Sequence, residues 1–184
     1  TEGEMGSRGT VEIRRREAAA AARILGVHLR ENLGLPDARL EANEESKLVV
    51  ARKIRALRPH TVILPYWEGR HPDHYTASIG GEAFRPFKVL YSTMYCSVRP
   101  TFVVDISKQF ERRRRAIFAY GSQFKPPRRD RHSKLHLSLD DLEQEVHLIA
   151  RYFGQMIGVR YAEPFLVREI MQVEDVVGMP VRSI

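Results

Sequence analysis

The ten residues Pro65-Tyr66-Trp67-Glu68-Gly69-Arg70-His71-Pro72-Asp73-His74 gather the groups in this chain best suited to metal-assisted hydrolysis. Arg70, His71, Asp73 and His74 fall within five positions. A neutral imidazole is a good zinc ligand. A second imidazole, kept off the metal, can be protonated and stabilise a developing oxyanion. A carboxylate beside it holds its tautomer and raises its pKa. Pro72 restricts the backbone between the two histidines. On spacing alone H-P-x-H is a weak pattern, because paired loop histidines are more often polar surface residues than ligands. His28, His60, His132, His136 and His147 read as exposed, or as satisfied by ordinary hydrogen bonds.

The elements around the loop give it more weight. Thr61 to Leu64 is a short apolar strand bounded by Pro59 and Pro65, as in a buried parallel sheet. The loop lies at its carboxyl end, where open α/β sheets bind ligands. Upstream, Glu12 to Leu25 reads as a helix stopped by Gly26. Val27 to Asn32 reads as a short strand, and Leu33 to Leu40, with Gly34, Pro36 and Asp37, as a loop. Ser46 to Leu57 is helical, with Leu48, Ile54 and Leu57 on one side. Downstream, Lys88 to Tyr95 and Thr101 to Asp105 are strands, and Ser107 is placed to cap a helix running to about Tyr120. Lys125 to Lys134 is basic and proline-containing. Ser138 and Asp141 form a capping box for a helix with Leu142, Val146, Ile149 and Phe153 on one face, closed by Gly154. The pattern after Tyr161 is ambiguous. Helices alternating with short apolar strands predict an α/β domain with a largely parallel sheet.

Composition bounds the rest. With 184 residues, 43% hydrophobic, the chain can build one domain over residues 1–184. No apolar run approaches the roughly 18 residues of a membrane span. Thr1 to Thr10 is polar and Gly-rich, with no signal-peptide pattern. Cys96 is the only cysteine, which excludes an internal disulfide. A cytoplasmic enzyme is the simplest expectation. The net charge of +7 favours acidic partners. Much of it sits in Arg14–Arg16, Arg112–Arg115 and Arg128–Arg131, which read as solvated faces. No zinc finger, RNP-like or KH-like motif accompanies them, so nucleic acid is the weaker reading.

An ordered set of landmarks resembles one family. Gly9-Thr10-Val11-Glu12-Ile13-Arg14, Asn32-Leu33-Gly34-Leu35-Pro36-Asp37, Arg58-Pro59, His71 to His74, Phe102 to Ser107, Ala119 to Phe124 and Gly158 to Glu163 follow the order seen in the zinc-dependent PIG-L/LmbE N-deacetylases. The likeness is closest to the branch that deacetylates N-acetylglucosaminyl-malate in bacillithiol biosynthesis. The resemblance implies a Rossmann-like three-layer fold with a mainly parallel sheet and one zinc ion per complete site. It makes His74 a zinc ligand, His71 the off-metal imidazole facing the oxyanion, and Asp73 its partner. It makes Arg14 and Arg70 substrate-binding residues, and it implies a homo-oligomer acting on a small amino-sugar, away from membranes.

Three departures accompany the likeness. The family's A-H-P-D-D loop, which carries two zinc ligands and the general base, has no counterpart here. The resemblance therefore places a strand–helix–strand unit upstream of Thr1, and expects the 184 residues alone to be inactive. The stretch after His74 also looks short, with Gly80-Gly81 arriving early, and a substrate-side tyrosine that some relatives carry just before the late helix has no counterpart, Leu142 standing near its place. The rival expectations are a module for anions or nucleic acid built on the arginine runs, and a metal-free relative that binds sugar without hydrolysing it.

Overall fold

Local capping sets the first half of the chain. Helix α1, Val11–Leu25, starts where the Thr10 hydroxyl accepts the Ile13 N–H at 3.2 Å. It ends at Gly26 in the left-handed region (φ 74°), which turns the Val27 N–H back onto Ala22 O at 2.9 Å. Helix α2, Glu44–Leu57, starts under the Asn43 side chain, which accepts from Ser46 N–H at 2.9 Å. The structure, a computed structural model, describes residues 1–6, 8–69, 71–80, 87–124 and 139–181. Arg70, the Arg128–Arg131 run, Lys125 to Lys134 and Ser138 of the expected capping box lie outside these.

Four strands form one sheet in the order β1-β2-β4-β3. Strands β1 (Thr61–Pro65) and β2 (Lys88–Ser92) are parallel, from Thr61 opposite Lys88 to Pro65 opposite Ser92. Strand β4 (Ala162–Leu166) runs antiparallel to β2 and to β3 (Phe102–Asp105). The fold is α/β as expected, and the sheet is mixed, with its parallel part beneath the site loop. Between these strands lie α3 (Pro72–Gly80), α4 (Phe110–Phe118), α5 (Gly121–Phe124) and α6 (Leu139–Gln155). Helix α6 packs on β3 and β4, α3 on β1, and α1 on α4. No described helix is long and apolar enough to cross a membrane.

Several sequence expectations are corrected. Val27 to Asn32 is not a strand: the turn at Gly26 leads into extended coil, with Val27 and Leu29 exposed and no strand beside them. On α2 only Ile54 of the expected apolar side is buried, together with Ala51, while Leu48 and Leu57 stay exposed. Ser107 does not cap α4. Its Oγ accepts the Tyr161 N–H at 3.1 Å, stitching the end of β3 to the start of β4, and Gln109 takes the cap position without a side-chain bond. The ambiguous tail contains β4, a strand with partners on both sides. Pro164 within it cannot donate to a ladder. It is accommodated because β2 reaches only Phe165 and Leu166 of β4.

Two buried clusters hold these elements. Ile106, Phe110, Val146, Ala150 and Tyr161 join α4, α6 and the start of β4. Tyr66, Tyr91 and Leu166, with Leu64 and Trp67 against them, lie under the site loop. In the two described arginine runs, four arginines are engaged with acids of the same chain. Arg15 pairs with Glu2, Arg16 with Glu12, Arg113 with Glu163, and Arg114 with both Glu111 and Glu143.

Gly154 supplies a close approach at the end of α6. A Cβ there would sit 2.6 Å from Val159 O and 3.0 Å from Arg160 O, both backbone atoms with nowhere to rotate. Gly154→Ala should therefore destabilise the protein by about 1–3 kcal/mol, as overpacking does in a closed site. The check is the urea midpoint at unchanged m-value, and an unaltered midpoint would refute it.

Candidate active site

The site grows out of the end of β1. Tyr66 N–H extends the parallel pairing onto Ser92 O at 3.0 Å. The chain then turns, with Gly69 N–H on Tyr66 O at 3.2 Å. A Cβ on Gly69 would meet that oxygen at 3.2 Å and His74 Cβ at 3.4 Å, so glycine lets the turn close against His74. Trp67 is held edge-on to Tyr91 with ring centroids 4.8 Å apart, and the Arg168 guanidinium lies 4.3 Å over it. Tyr66 donates its hydroxyl to Glu68 at 3.0 Å. Burial, followed by the bond to Glu68, pushes its phenol pKa up.

The two histidines occupy the start of α3, so His74 belongs to a helical first turn and not to a free loop. His71 acts as the cap: its carbonyl accepts the His74 N–H at 3.0 Å, and its Nδ1 accepts the Asp73 N–H at 3.2 Å. With Nδ1 accepting, the neutral ring carries its proton on Nε2. The His71 and His74 ring centroids are 5.4 Å apart. The His74 pKa is lowered, first by desolvation and then by His71, with Asp73 opposing. That favours the neutral imidazole a metal ligand requires.

Asp73 is only 8% exposed, and its carboxyl faces backbone. Oδ2 accepts the Ala38 N–H at 2.7 Å and Oδ1 the Leu40 N–H at 3.1 Å. His71 Nδ1 lies farther off, 4.0 Å from Oδ2. The expected partner of His71 is thus also the anchor of a loop more than thirty residues upstream. Ala38 takes the left-handed conformation to reach it (φ 56°), unusual for a residue with a Cβ. These amides carry no side-chain signal, and sequence reasoning missed them.

Asp37, beside Ala38, gathers the amino-terminal segment. It accepts from Thr1 Oγ at 3.0 Å and Met5 N–H at 3.1 Å, and its own N–H donates to Glu4 at 2.7 Å. The Asp37 N–H is the main cause of the lowered pKa of Glu4. Asp37 also lines a cavity of about 140 Å³ with Thr1, Glu2, Gly3, Arg14 and Asn32. Arg14 lies 5.6 Å from the Tyr120 ring centroid, and its Nη1 is buried with no hydrogen-bond partner among the described residues. Gly3, at φ 73°, lets the backbone pass close: a Cβ there would be 3.0 Å from Arg14 Nε. The structure thus links the cavity beside Arg14 to the His71–His74 turn through Asp37, Ala38 and Asp73. Arg70, the other expected substrate arginine, is outside the described residues.

For zinc, His74 has the chemistry of one donor. Three protein donors are needed for a catalytic site. No group of three or more His, Cys, Asp or Glu among the described residues could hold a metal ion. His74 by itself falls short of that number.

Comparison with known proteins gives concordant likenesses. A family model described as PIG-L, GlcNAc-PI de-N-acetylase, matches residues 1–84. The diacetylchitobiose deacetylase of Thermococcus kodakarensis is 29% identical, over 89% of this chain and 65% of that protein. The chain thus spans just under two thirds of that relative's length. Among solved structures, a conserved protein of Thermus thermophilus superposes with a TM-score of 0.80 at 34% identity, over 94% of this chain and 80% of that one. The N,N'-diacetylchitobiose deacetylase of Pyrococcus horikoshii, solved with its inhibitor MPG, gives 0.73 at 25% identity, over 89% and 68%.

The Asp73 anchor is directly testable. Asp73→Asn keeps the size but turns an amide NH2 toward one of two backbone donors. Leaving a buried donor unpaired costs about 1–3 kcal/mol. Stability should fall by that amount, with faster hydrogen exchange at the Ala38 and Leu40 amides specifically. Unchanged protection at both would show that the carboxylate does not hold the loop.

Proposed function

We propose, because this chain belongs to the PIG-L family, that it serves an enzyme hydrolysing the N-acetyl group of an N-acetylglucosamine derivative. One observation carries the proposal. His71 and His74 stand on the first helical turn beyond the carboxyl end of a parallel strand, with Asp73 buried between them. Such a position is where α/β sheets place ligands. The deacetylase names of two relatives support amide hydrolysis over other chemistry.

The reaction adds water across the amide: the carbonyl–nitrogen bond breaks and gives acetate and a free amine. His71, with Nδ1 occupied by the Asp73 N–H, offers Nε2–H to the oxygen on which charge develops. Asp73 fixes that ring through its own backbone and holds the Ala38–Leu40 loop beside it. His74 is the one described side chain assigned to zinc, which when bound supplies Lewis-acid activation of water. Two further ligands and the general base are assigned to residues upstream of Thr1. Strand β1 supports this: among the described residues its outer edge has no partner strand, and Ile63 on it is 56% exposed. A parallel edge in an α/β sheet is ordinarily covered.

The finer proposal concerns the substrate. Arg14 holds a buried, unpartnered guanidinium nitrogen beside a polar cavity, which suits a carboxylate. An acidic derivative such as N-acetylglucosaminyl-malate, of bacillithiol biosynthesis, fits that chemistry. A neutral disaccharide, as in the named relatives, would leave the nitrogen unused. Arg70 is assigned to the same task.

Two experiments on the gene product that includes the residues upstream of Thr1 test these assignments. In the first, zinc content and kcat/KM are measured together. His74→Ala should lose zinc. His71→Ala should keep zinc and lose roughly 10²–10⁴ in rate, the range for an acid or oxyanion donor. Full metal and full rate in both variants would remove this turn from the site. A gene product without His and Asp in the upstream segment would sink the zinc assignment. In the second, Arg14→Ala and Arg70→Ala are compared on acidic and neutral substrates. Losing a charged hydrogen-bond pair should cost about 1.5–3 kcal/mol, or roughly 10- to 100-fold, on the malate conjugate. Diacetylchitobiose should be much less affected. Equal losses on both would eliminate carboxylate recognition.

A further inference from the structure

The turn that carries the chain from β1 to the two histidines is braced from the far end of the sequence. Tyr66 O accepts the Gly69 N–H at 3.2 Å, so Trp67 and Glu68 are the central residues of that turn. Gly69 closes it against His74: a Cβ there would lie 3.4 Å from His74 Cβ and 3.6 Å from its Nδ1. Whatever fixes the Trp67 ring therefore fixes where Gly69 presses on the imidazole. The buried rings of Tyr66 and Tyr91 contribute, with centroids 4.7 and 4.8 Å from that of Trp67.

A further contact comes from Arg168, two positions beyond the end of β4. Its guanidinium lies 4.3 Å from the Trp67 ring centroid and 5.1 Å from that of Tyr91. A guanidinium is planar and weakly hydrated, so it rests on an aromatic face where an ammonium is drawn toward water. The backbone that carries it is anchored. Leu166 pairs with Tyr91 across the sheet, and the Val167 N–H donates to Thr101 Oγ1 at 3.2 Å. Arg168 is itself exposed, so it can be replaced without opening the cluster of Tyr66, Tyr91 and Leu166 beneath it.

We propose that Arg168 is a positioning residue for the hydrolysis assigned above. By clamping Trp67 it holds the Tyr66–Gly69 turn and, through Gly69, the place of the His74 ring beside His71. It touches no reacting atom. Its effect on rate rests on the assignment of this turn to the active site, whereas the clamp stands on contacts within the chain. A residue that sets the geometry of reacting groups without binding substrate shows its loss in kcat and not in KM.

The test uses Arg168→Ala and Arg168→Lys in the gene product that includes the residues upstream of Thr1. Trp67 is the only tryptophan in these 184 residues, and subtracting the spectrum of the matching Trp67→Phe protein isolates its emission. Arg168→Ala should shift that emission to the red and raise its quenching by acrylamide. Hydrogen exchange at the Gly69 amide should quicken. The kcat on N-acetyl sugars should fall about tenfold, less than the ~10²-fold that a 1 Å misplacement costs. KM and melting temperature should stay unchanged. Arg168→Lys keeps the cation without the planar fork and should be intermediate in emission, exchange and rate. A rate loss with unaltered Trp67 emission overturns the proposal, as does one matched by a falling melting temperature. So does an uncovered Trp67 with unaltered Gly69 exchange and kcat. A loss confined to KM for an acidic substrate would make Arg168 a substrate contact, and overturns it too. A wild-type protein inactive on every N-acetyl sugar would refute the reaction assigned above, with the clamp still decided by Trp67 emission and Gly69 exchange.

Discussion

A carboxylate removed from water must find its hydrogen bonds inside the protein. Asp73 finds them in the backbone N–H groups of Ala38 and Leu40. The rest of the site depends on that choice. To aim both amides at one side chain, Ala38 adopts a left-handed conformation that costs it some strain. The geometry fixes Asp37 next door, which in turn holds Thr1, Met5 and Glu4. The amino-terminal segment so held passes over Arg14 at Gly3 and closes one wall of its cavity. A single buried carboxyl thus connects the start of α3 to the side chain proposed to select the substrate. Coupling of this kind makes Asp73 more than an orienter of His71.

The other side of the site loop is held by aromatic packing. Tyr66 and Tyr91 are buried, and Trp67 contacts both rings while carrying Arg168 on its face. Such contacts have preferred geometry as well as area, so they fix a loop more sharply than aliphatic burial does. Midway along α1, Glu17 accepts both the N–H and the hydroxyl of Ser122. Gly9, at φ 76°, allows the backbone to approach, since a Cβ there would lie 2.7 Å from Ser122 Oγ. This bond locks the turn after α4 against α1 and keeps the Tyr120 ring near Arg14. The motifs Gly9 to Arg14 and Ala119 to Phe124, far apart in sequence, meet here.

Where a signal was local, the sequence displayed it. The stop at Gly26, the strand at Thr61 and the long helix ending near Gly154 are read from residue types within one turn. Tertiary partners decided the rest. Val27 to Asn32 has strand-forming composition but no strand to pair with. Ser107 has capping chemistry but is taken by Tyr161, 54 positions away. Pro164 fits within β4 only because β2 stops at Phe165, a limit set by the partner strand. In the site, His71, Asp73 and His74 were visible as chemical groups at close spacing. The amides that bind Asp73 were not, because every residue except proline carries one.

His71 is drawn toward two uses by one nitrogen. As the cap of α3, Nδ1 must accept the Asp73 N–H, which requires a neutral ring protonated at Nε2. As an imidazolium it would place a second proton on Nδ1 and lose that bond. The nearest carboxylate oxygen that could receive the new proton is Asp73 Oδ2, at 4.0 Å, already accepting from Ala38. Protonation therefore asks the ring to leave the helix terminus and compete with the loop anchor. The geometry favours a neutral donor: Nε2–H is presented without breaking any bond of the resting structure. Donating a proton outright to the departing amine would require the ring to turn from the Asp73 amide to its carboxylate. That movement also loosens the cap on the turn bearing His74, which ties the position of the proposed ligand to the protonation state of its neighbour.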